Sequence, residues 1–384
     1  MRCHIVIICC LLSSAPSSGA ENIALTSRVE SGWTSNAAEV SGGRPDLYVM
    51  QSHALELSGA LSGLALRAGL ALEETRFRAQ GEENDLSLTG GVEMGLTPAE
   101  GLALRLGYAQ SRSWTGDLLE LGTLRLGITN PLIEHEAIAE LVLSGAGRQL
   151  TLGMDGLWRQ PGTARFSGLA LPDLRLDPEA GLITLRADGE WALATDLAAL
   201  ARVQGFFSHV PWPDRVEYGR QPADGARLAA GLRLSQGAAW AELVAGLDMV
   251  WPQGAPALRR SLPYVEGRAE LALMETLTLN AGAATGLDLL EPIDGVASST
   301  VEARLGMRLA LAEALALTAS WKAESERGLY DAGLGQFRWL VGAGIVYQAA
   351  KGVEVGLSAS HERVTAMDER YGISRIAATM AGHI

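Results

Sequence analysis

Arginines and carboxylates alternate with leucines through much of this 384-residue chain, and they are the side chains whose type and spacing could do chemistry. Arg67, Arg105, Arg186, Arg233, Arg304, Glu242 and Glu266 form the candidate functional set. Arg125, Arg202, Arg227, Arg268, Arg308, Asp188, Glu190, Asp248 and Glu302 follow the same rule. On an extended strand this spacing puts every charge on one face. Fixed mixed charges on one face can set the ion or solute preference of a hydrated lumen. They can equally be arginine–carboxylate pairs that tie neighbouring strands together and only hold a wall in shape. Against hydrocarbon, an arginine near the midplane costs about 2–4 kcal/mol, so these side chains must face water or one another.

The elements that position them are strands. Asp85 to Leu96 reads DLSLTGGVEMGL, with Leu86, Leu88, Val92, Met94 and Leu96 on one face and Asp85, Ser87, Thr89 and Glu93 on the other. That period of two recurs in Leu64 to Glu73, Leu102 to Trp114, Ile183 to Trp191, Leu228 to Gln236, Val301 to Leu309 and Val353 to Glu362. Short turns, such as Leu61 to Gly63, Thr97 to Gly101 and Ala194 to Asp196, alternate with longer polar connections. The longer ones include Ser35 to Pro45, Thr75 to Glu83, Pro211 to Gly225, Asp288 to Ala297 and Arg363 to Tyr371. Short turns on one rim and long loops on the other are how outer-membrane barrels are built. The pattern predicts a single all-β, antiparallel, up-and-down transmembrane barrel of about 18 strands, within a range of 16 to 20. In the middle, Pro131, Pro161, Pro172 and Pro178 interrupt the alternation, so one or two segments among Thr123 to Thr129, Ala137 to Ser144, Gln149 to Trp158 and Thr163 to Leu171 are expected to fold inward as loop.

Tryptophan tests the outward face, because its amphipathic ring belongs near strand ends at a membrane interface. Trp33, Trp114, Trp158, Trp191, Trp251, Trp321 and Trp339 share the parity of the neighbouring leucines and valines, and Trp240 alone takes the charged parity. Total aromatic content is only 5%, so the girdles are expected to be sparse.

Residues 1–20 read as a secretory signal peptide, with Arg2 in the positive start, an apolar run from Ile5 to Leu12, and Ser18-Gly19-Ala20 before the expected cleavage point. The barrel domain is expected over 21–384. All three cysteines, Cys3, Cys9 and Cys10, would leave with the signal, which makes a disulfide-free envelope protein. A net charge of −13 and the lack of any basic patch exclude nucleic acid as a partner. Lysine occurs only at Lys322 and Lys351, so nearly all positive charge is arginine, whose planar fork suits fixed pairing. Beyond the signal no apolar run is long enough to span a bilayer as a helix, and a closed barrel is the remaining spanning solution.

The sequence carries no recognisable catalytic constellation. His53, His135, His209, His361 and His383 form no metal-spaced pair, and Ala139 stands where a zinc-protease helix beginning at His135-Glu136 needs its second histidine. Ser208-His209 and Ser360-His361 are sequence neighbours, so on a strand their side chains point to opposite faces. The chain reads as neither an enzyme nor a binder of a cofactor or metal.

The stretch Ser31-Gly32-Trp33-Thr34-Ser35-Asn36-Ala37, the long strand from Leu47 to Leu61 and the hairpins that follow resemble the bacterial beta-barrel porin type 2 families. That resemblance implies an outer-membrane barrel of porin type, a passive channel for small solutes or ions. Its implied partners are outer-membrane lipid and the barrel-assembly machinery, with oligomerisation left open. The chain departs from the usual aromatic ending, although Ile376, Ala378, Met380, Gly382 and Ile384 keep an apolar face to the last residue. The alternative is a non-conducting surface barrel that acts in adhesion or envelope scaffolding.

Overall fold

The computed structural model describes residues 22–61, 63–121, 124–167, 171–172, 174–366 and 369–383. The expected signal peptide with its three cysteines, the turn residue Ser62, the side chain of Arg125 and the final Ile384 lie outside that description. In chain order the strands are β1 (Asn22–Thr34), β2 (Asp46–Leu61), β3 (Leu64–Phe77), β4 (Asp85–Ala99), β5 (Leu102–Leu121), β6 (Leu124–Gly145), β7 (Arg148–Pro161) and β8 (Arg165–Ser167). They continue as β9 (Ala180–Ala192), β10 (Leu197–His209), β11 (Ala223–Gln236), β12 (Ala239–Pro252), β13 (Arg260–Met274) and β14 (Leu277–Asp288). The last are β15 (Ser298–Ala312), β16 (Leu315–Gly328), β17 (Gly335–Ala350), β18 (Val353–Ala366) and β19 (Glu369–His383). One short helix, α1 (Trp212–Glu217), lies between β10 and β11.

Each strand pairs antiparallel with the next, except that β7 pairs directly with β9 while β8 lies against the outer part of β6. The sheet closes where β19 meets β1, from Thr26 opposite His383 to Thr34 opposite Arg375. With β8 outside the ring, the wall is a closed antiparallel barrel of eighteen strands, as the periodicity predicts. Closure removes both sheet edges, so the backbone ladder is satisfied all the way round. Among the described residues no helix is long and apolar enough to cross a membrane.

The two faces separate as expected. Leu228, Leu243, Leu305, Leu357 and Val92 stand 54–63% exposed, on the parity opposite the charges. Gly189 lies under the ring of Trp191 and Gly181 under that of Trp158, where a Cβ would come within 2.3 Å and 2.1 Å of ring carbons. Glycine there lets the tryptophans lie flat along the wall. The imidazole of His209 stacks on Trp158 at 5.4 Å, and Arg112 lies 4.7 Å from the centroid of Trp114. Trp33, Trp114, Trp158, Trp251 and Trp339 gather toward the long-loop ends of their strands, whereas Trp191 stands near a short turn. The aromatic girdle is therefore heavier on one rim.

The proline-rich middle differs in detail from the sequence expectation. The segments around Thr123 to Thr129 and Ala137 to Ser144 are one 22-residue strand, β6, that runs straight through Pro131. Pro131 stands opposite Trp114, and on its other side Gly162 N–H donates to its carbonyl at 2.7 Å, just where β7 stops. The missing N–H therefore falls where the neighbouring wall strand ends. From Thr163 to Leu171 the described chain holds only the three-residue β8 and a bridge from Ala164 to Leu174. Arg363 to Tyr371 is not a long loop either, because β18 continues to Ala366 and β19 begins at Glu369.

Candidate functional site

On the charged face, β10 to β13 carry a connected network. Arg202 on β10 donates to Asp188 on β9 at 3.1 Å, to the Tyr264 hydroxyl at 2.8 Å and to Glu266 at 2.6 Å on β13. Tyr264 donates in turn to Glu266. Arg227 on β11 forks onto Asp248 of β12 through Nε at 2.7 Å and Nη2 at 2.9 Å, and its guanidinium lies 3.7 Å from the Tyr264 ring centroid. Tyr264 also packs with Ala229 and Val244, so an apolar floor lies under the two arginines. Bidentate geometry plus an aromatic face is a setting that arginine fills and lysine does not.

The expected candidates fall into three groups. Arg233 donates to Glu242 at 2.8–3.0 Å and to Glu190 at 2.7 Å, while Arg268 lies 2.6 Å from Glu266. Arg186 donates to Glu140 at 2.5 Å and Arg105 to Glu93 at 2.7 Å. Arg67 is only loosely paired, 3.8 Å from Glu56 with both side chains more than half exposed. Arg304 has no carboxylate within salt-bridge distance among the described residues. Arg233, Glu242 and Glu266 thus belong to the neighbourhood of one network, and the structure does not bring Arg67, Arg105 and Arg304 to it.

Sequence periodicity missed the loops that pack against this face. The segment 289–297, between β14 and β15, reaches β7 and β9 even though five wall strands separate β7 from β14. Leu290 packs with Ala180, Val210, Leu157 and Leu182, and Glu291 pairs with Arg159 of β7. Leu289 and Ala297 pack with Ala223 and Val250. The short path between such distant strands is across the inside of the barrel.

Arg220, 5% exposed in the loop after α1, fastens this segment. It donates to the carbonyls of Leu289 at 3.2 Å and Pro292 at 3.3 Å, and to that of Leu290. Burial pulls its guanidinium down to about 10, which still leaves it charged at neutral pH. Gln221 N–H donates to Gly295 O at 2.9 Å, and Gly295 has φ +75, a conformation that glycine adopts without strain. Asp214 of α1 ties in the stretch before β9, accepting from Arg175 and from Glu179 N–H, each at 2.5 Å.

Across the barrel the charged face of β2 to β6 is bare by comparison. A cavity of about 430 Å³ lies there, with Ala54, Gly69, Ala71, Gly91, Gly107 and Ala109 on that face beside Glu56, Arg67, Glu93 and Glu136. The interior is thus filled on the β7–β15 side and left clear along β2–β6.

At the long-loop rim a second device involves a proton. Segment 79–84 is held by Asp46, whose Oδ2 accepts from Ala79 N–H and Gln80 N–H at 2.8 Å each. It packs so closely on Gly116 that a Cβ there would stand 2.2 Å from Glu82 O. The docked segment buries Glu83 with Oε1 unpartnered. Burial first, then the charges of Asp117, Asp85, Glu39 and Glu82, push its carboxyl up to about 7. A pKa raised in the docked state means that docking is strongest below the ordinary carboxylate pKa and weakens as pH rises through about 7. Glu83→Gln is expected to remove that dependence. At pH 8, amide exchange over 79–84, corrected for intrinsic rate, should be slower in the variant than in the wild type, and near pH 4.5 the two should agree. Equal exchange at pH 8 would refute the assignment.

Two cross-strand pairs merit a chemical test as nucleophile and base. His361 Nδ1 lies 2.9 Å from Ser374 Oγ, and His53 Nδ1 lies 2.9 Å from Ser27 Oγ. Among the described residues neither imidazole is hydrogen-bonded to a carboxylate that would orient it, so neither pair builds a triad. No group of histidines and carboxylates suited to a metal ion occurs among the described residues.

No protein-family model matches the chain, and no curated protein matches it. Solved structures do share its fold. OccK2 (OpdF) of Pseudomonas aeruginosa superposes with a TM-score of 0.51 at 11% identity, covering 95% of this chain and 98% of that one. A BenF-like porin from Pseudomonas fluorescens gives 0.50 at 10% identity, over 95% of this chain and 98% of that one. The copper transporter OprC gives 0.53 at 9% identity, over 97% of this chain and 82% of that one. At these identities the likeness is one of fold.

Proposed function

We propose that this chain is a bacterial outer-membrane barrel acting as a porin-like passive channel for small solutes. The observation that carries the proposal is the sorting of the closed eighteen-stranded wall, with exposed leucines on one face and paired charges on the other. A continuous apolar belt of that size is stable against lipid and not against water. A barrel of sixteen to eighteen strands is wide enough to hold an aqueous channel. The bare stretch along β2–β6 is the proposed path, and Arg67, Arg105, Arg186, Arg233, Glu242, Glu266 and Arg304 are proposed to line the lumen. Delivery to the membrane would rest on the secretory signal at 1–20 and on the assembly machinery that inserts such barrels.

The second reading, a non-conducting barrel for adhesion or scaffolding, draws on the packing of segment 289–297 across the interior. Two measurements separate the readings. The protein is expected in the outer-membrane fraction, migrating faster on a detergent gel unboiled than boiled, and a soluble periplasmic protein would end both readings. In planar bilayers it is expected to pass current. Folded protein without conductance would favour the scaffold.

A further inference from the structure

We infer that the lumen prefers cations and that the solutes it passes most readily are small and positively charged. The inference rests on the pore reading above and deepens it. Several arginines on the charged face are locked between two carboxylates. Arg202 lies between Asp188 and Glu266, Arg233 between Glu190 and Glu242, Arg186 between Glu140 and Asp155, and Arg159 between Glu134 and Glu291. A guanidinium so flanked contributes no net positive field. The groups around Arg233, Arg186 and Arg159 each carry one negative charge in excess, while around Arg202 the second carboxylate, Glu266, is also paired with Arg268.

The unpaired side chains lean the same way. Glu73, Glu136, Glu270, Glu302 and Glu354 have the parity of the charged face and pair with no cation among the described residues, against Arg260, Arg304 and Arg308 on the basic side. Glu136 borders the bare stretch along β2–β6. Glu302 stands directly opposite Glu324 across the β15–β16 ladder, but the same ladder sets Arg304 opposite Lys322, and Lys322 pairs with Glu324 at 2.7 Å. That site is mixed in sign, so it is the surplus of unpaired carboxylates around the whole face that sets the balance. In a low-dielectric wall such charges act on the channel water with little screening, and they set the sign of the ion it favours.

The test uses the full barrel in bilayers of neutral phosphatidylcholine under a tenfold potassium chloride gradient. The reversal potential should report potassium permeability about threefold that of chloride or more. Raising the salt toward about 1 M should shrink that ratio, since the screening length falls to about 3 Å. The triple variant Glu73→Gln, Glu136→Gln, Glu302→Gln should bring the ratio down, and Arg304→Gln with Arg308→Gln should raise it. A conducting wild-type barrel with a ratio of one or below overturns the selectivity and leaves the pore reading standing. A folded barrel that passes no current overturns both.

Discussion

Arg220→Ala is expected to raise single-channel conductance roughly twofold or more, because an eighteen-stranded barrel is wide enough for an aqueous channel once its filling segment is displaced. The side chain fastens 289–297 through the carbonyls of Leu289, Leu290 and Pro292. Hydrogen bonds from a charged donor contribute about 1.5–3 kcal/mol each, part of which is offset here by the cost of burying the guanidinium. What remains is the Glu291 pair with Arg159 of β7, Gln221 N–H on Gly295 O, Asp294 holding Val296, Ala297 and Tyr330 N–H, and the apolar contacts of Leu289 and Leu290. Of these only the Glu291 pair puts a charge on a wall strand, so the segment loses the larger of its two charged anchors and not both. Arg220→Lys should fall between wild type and alanine, since one ammonium on a flexible stem cannot span three carbonyls. Protease cleavage within 289–297 should appear in the alanine variant and not in the wild type. Unchanged conductance together with unchanged protection would sink the latch.

The wall was readable from the chain and its filling was not, for a physical reason. Strand pairing is local along the sequence, and an alternating stretch such as Asp85 to Leu96 assigns both its conformation and its two faces. The tryptophans follow the same arithmetic: Trp240 takes the charged parity with Glu242, and Trp251 the leucine parity with Leu247 and Met249. Arg220 has no such signature. It lies in an aperiodic loop, and its acceptors are 69–72 residues away. Pro131 misled in the other direction, since an interrupting proline reads as a break unless the end of its neighbour β7 is known. Tyr264 did leave a mark, as an aromatic residue on the charged parity of Leu262, Glu266 and Arg268, and that is the position that organises the arginines around it.

Around that tyrosine the largest stability effect is expected from Asp248→Ala. Asp248 is 2% exposed and takes both branches of the Arg227 fork, while Arg227 itself is 12% exposed. Removing the carboxylate strands a buried guanidinium with Gln204 at 3.2 Å and the faces of Tyr264 and Phe206 as its remaining partners. Breaking a buried pair in this way costs about 3–5 kcal/mol, most of it the penalty of the uncompensated charge. Replacing both members, Arg227→Met with Asp248→Leu, should cost far less, because no charge is then left unpaired. Urea unfolding of the folded barrel in detergent, followed by tryptophan fluorescence, distinguishes the two variants. A stability for Asp248→Ala within about 0.5 kcal/mol of wild type would mean that water reaches Arg227 and that the pair is not closed off. The same variant carries a consequence for transport: the freed guanidinium adds a positive charge to the inner wall, so potassium preference should fall along with stability. The double variant removes one charge of each sign and should leave that preference near its wild-type value, which ties the selectivity to net charge and not to the arginine fork itself.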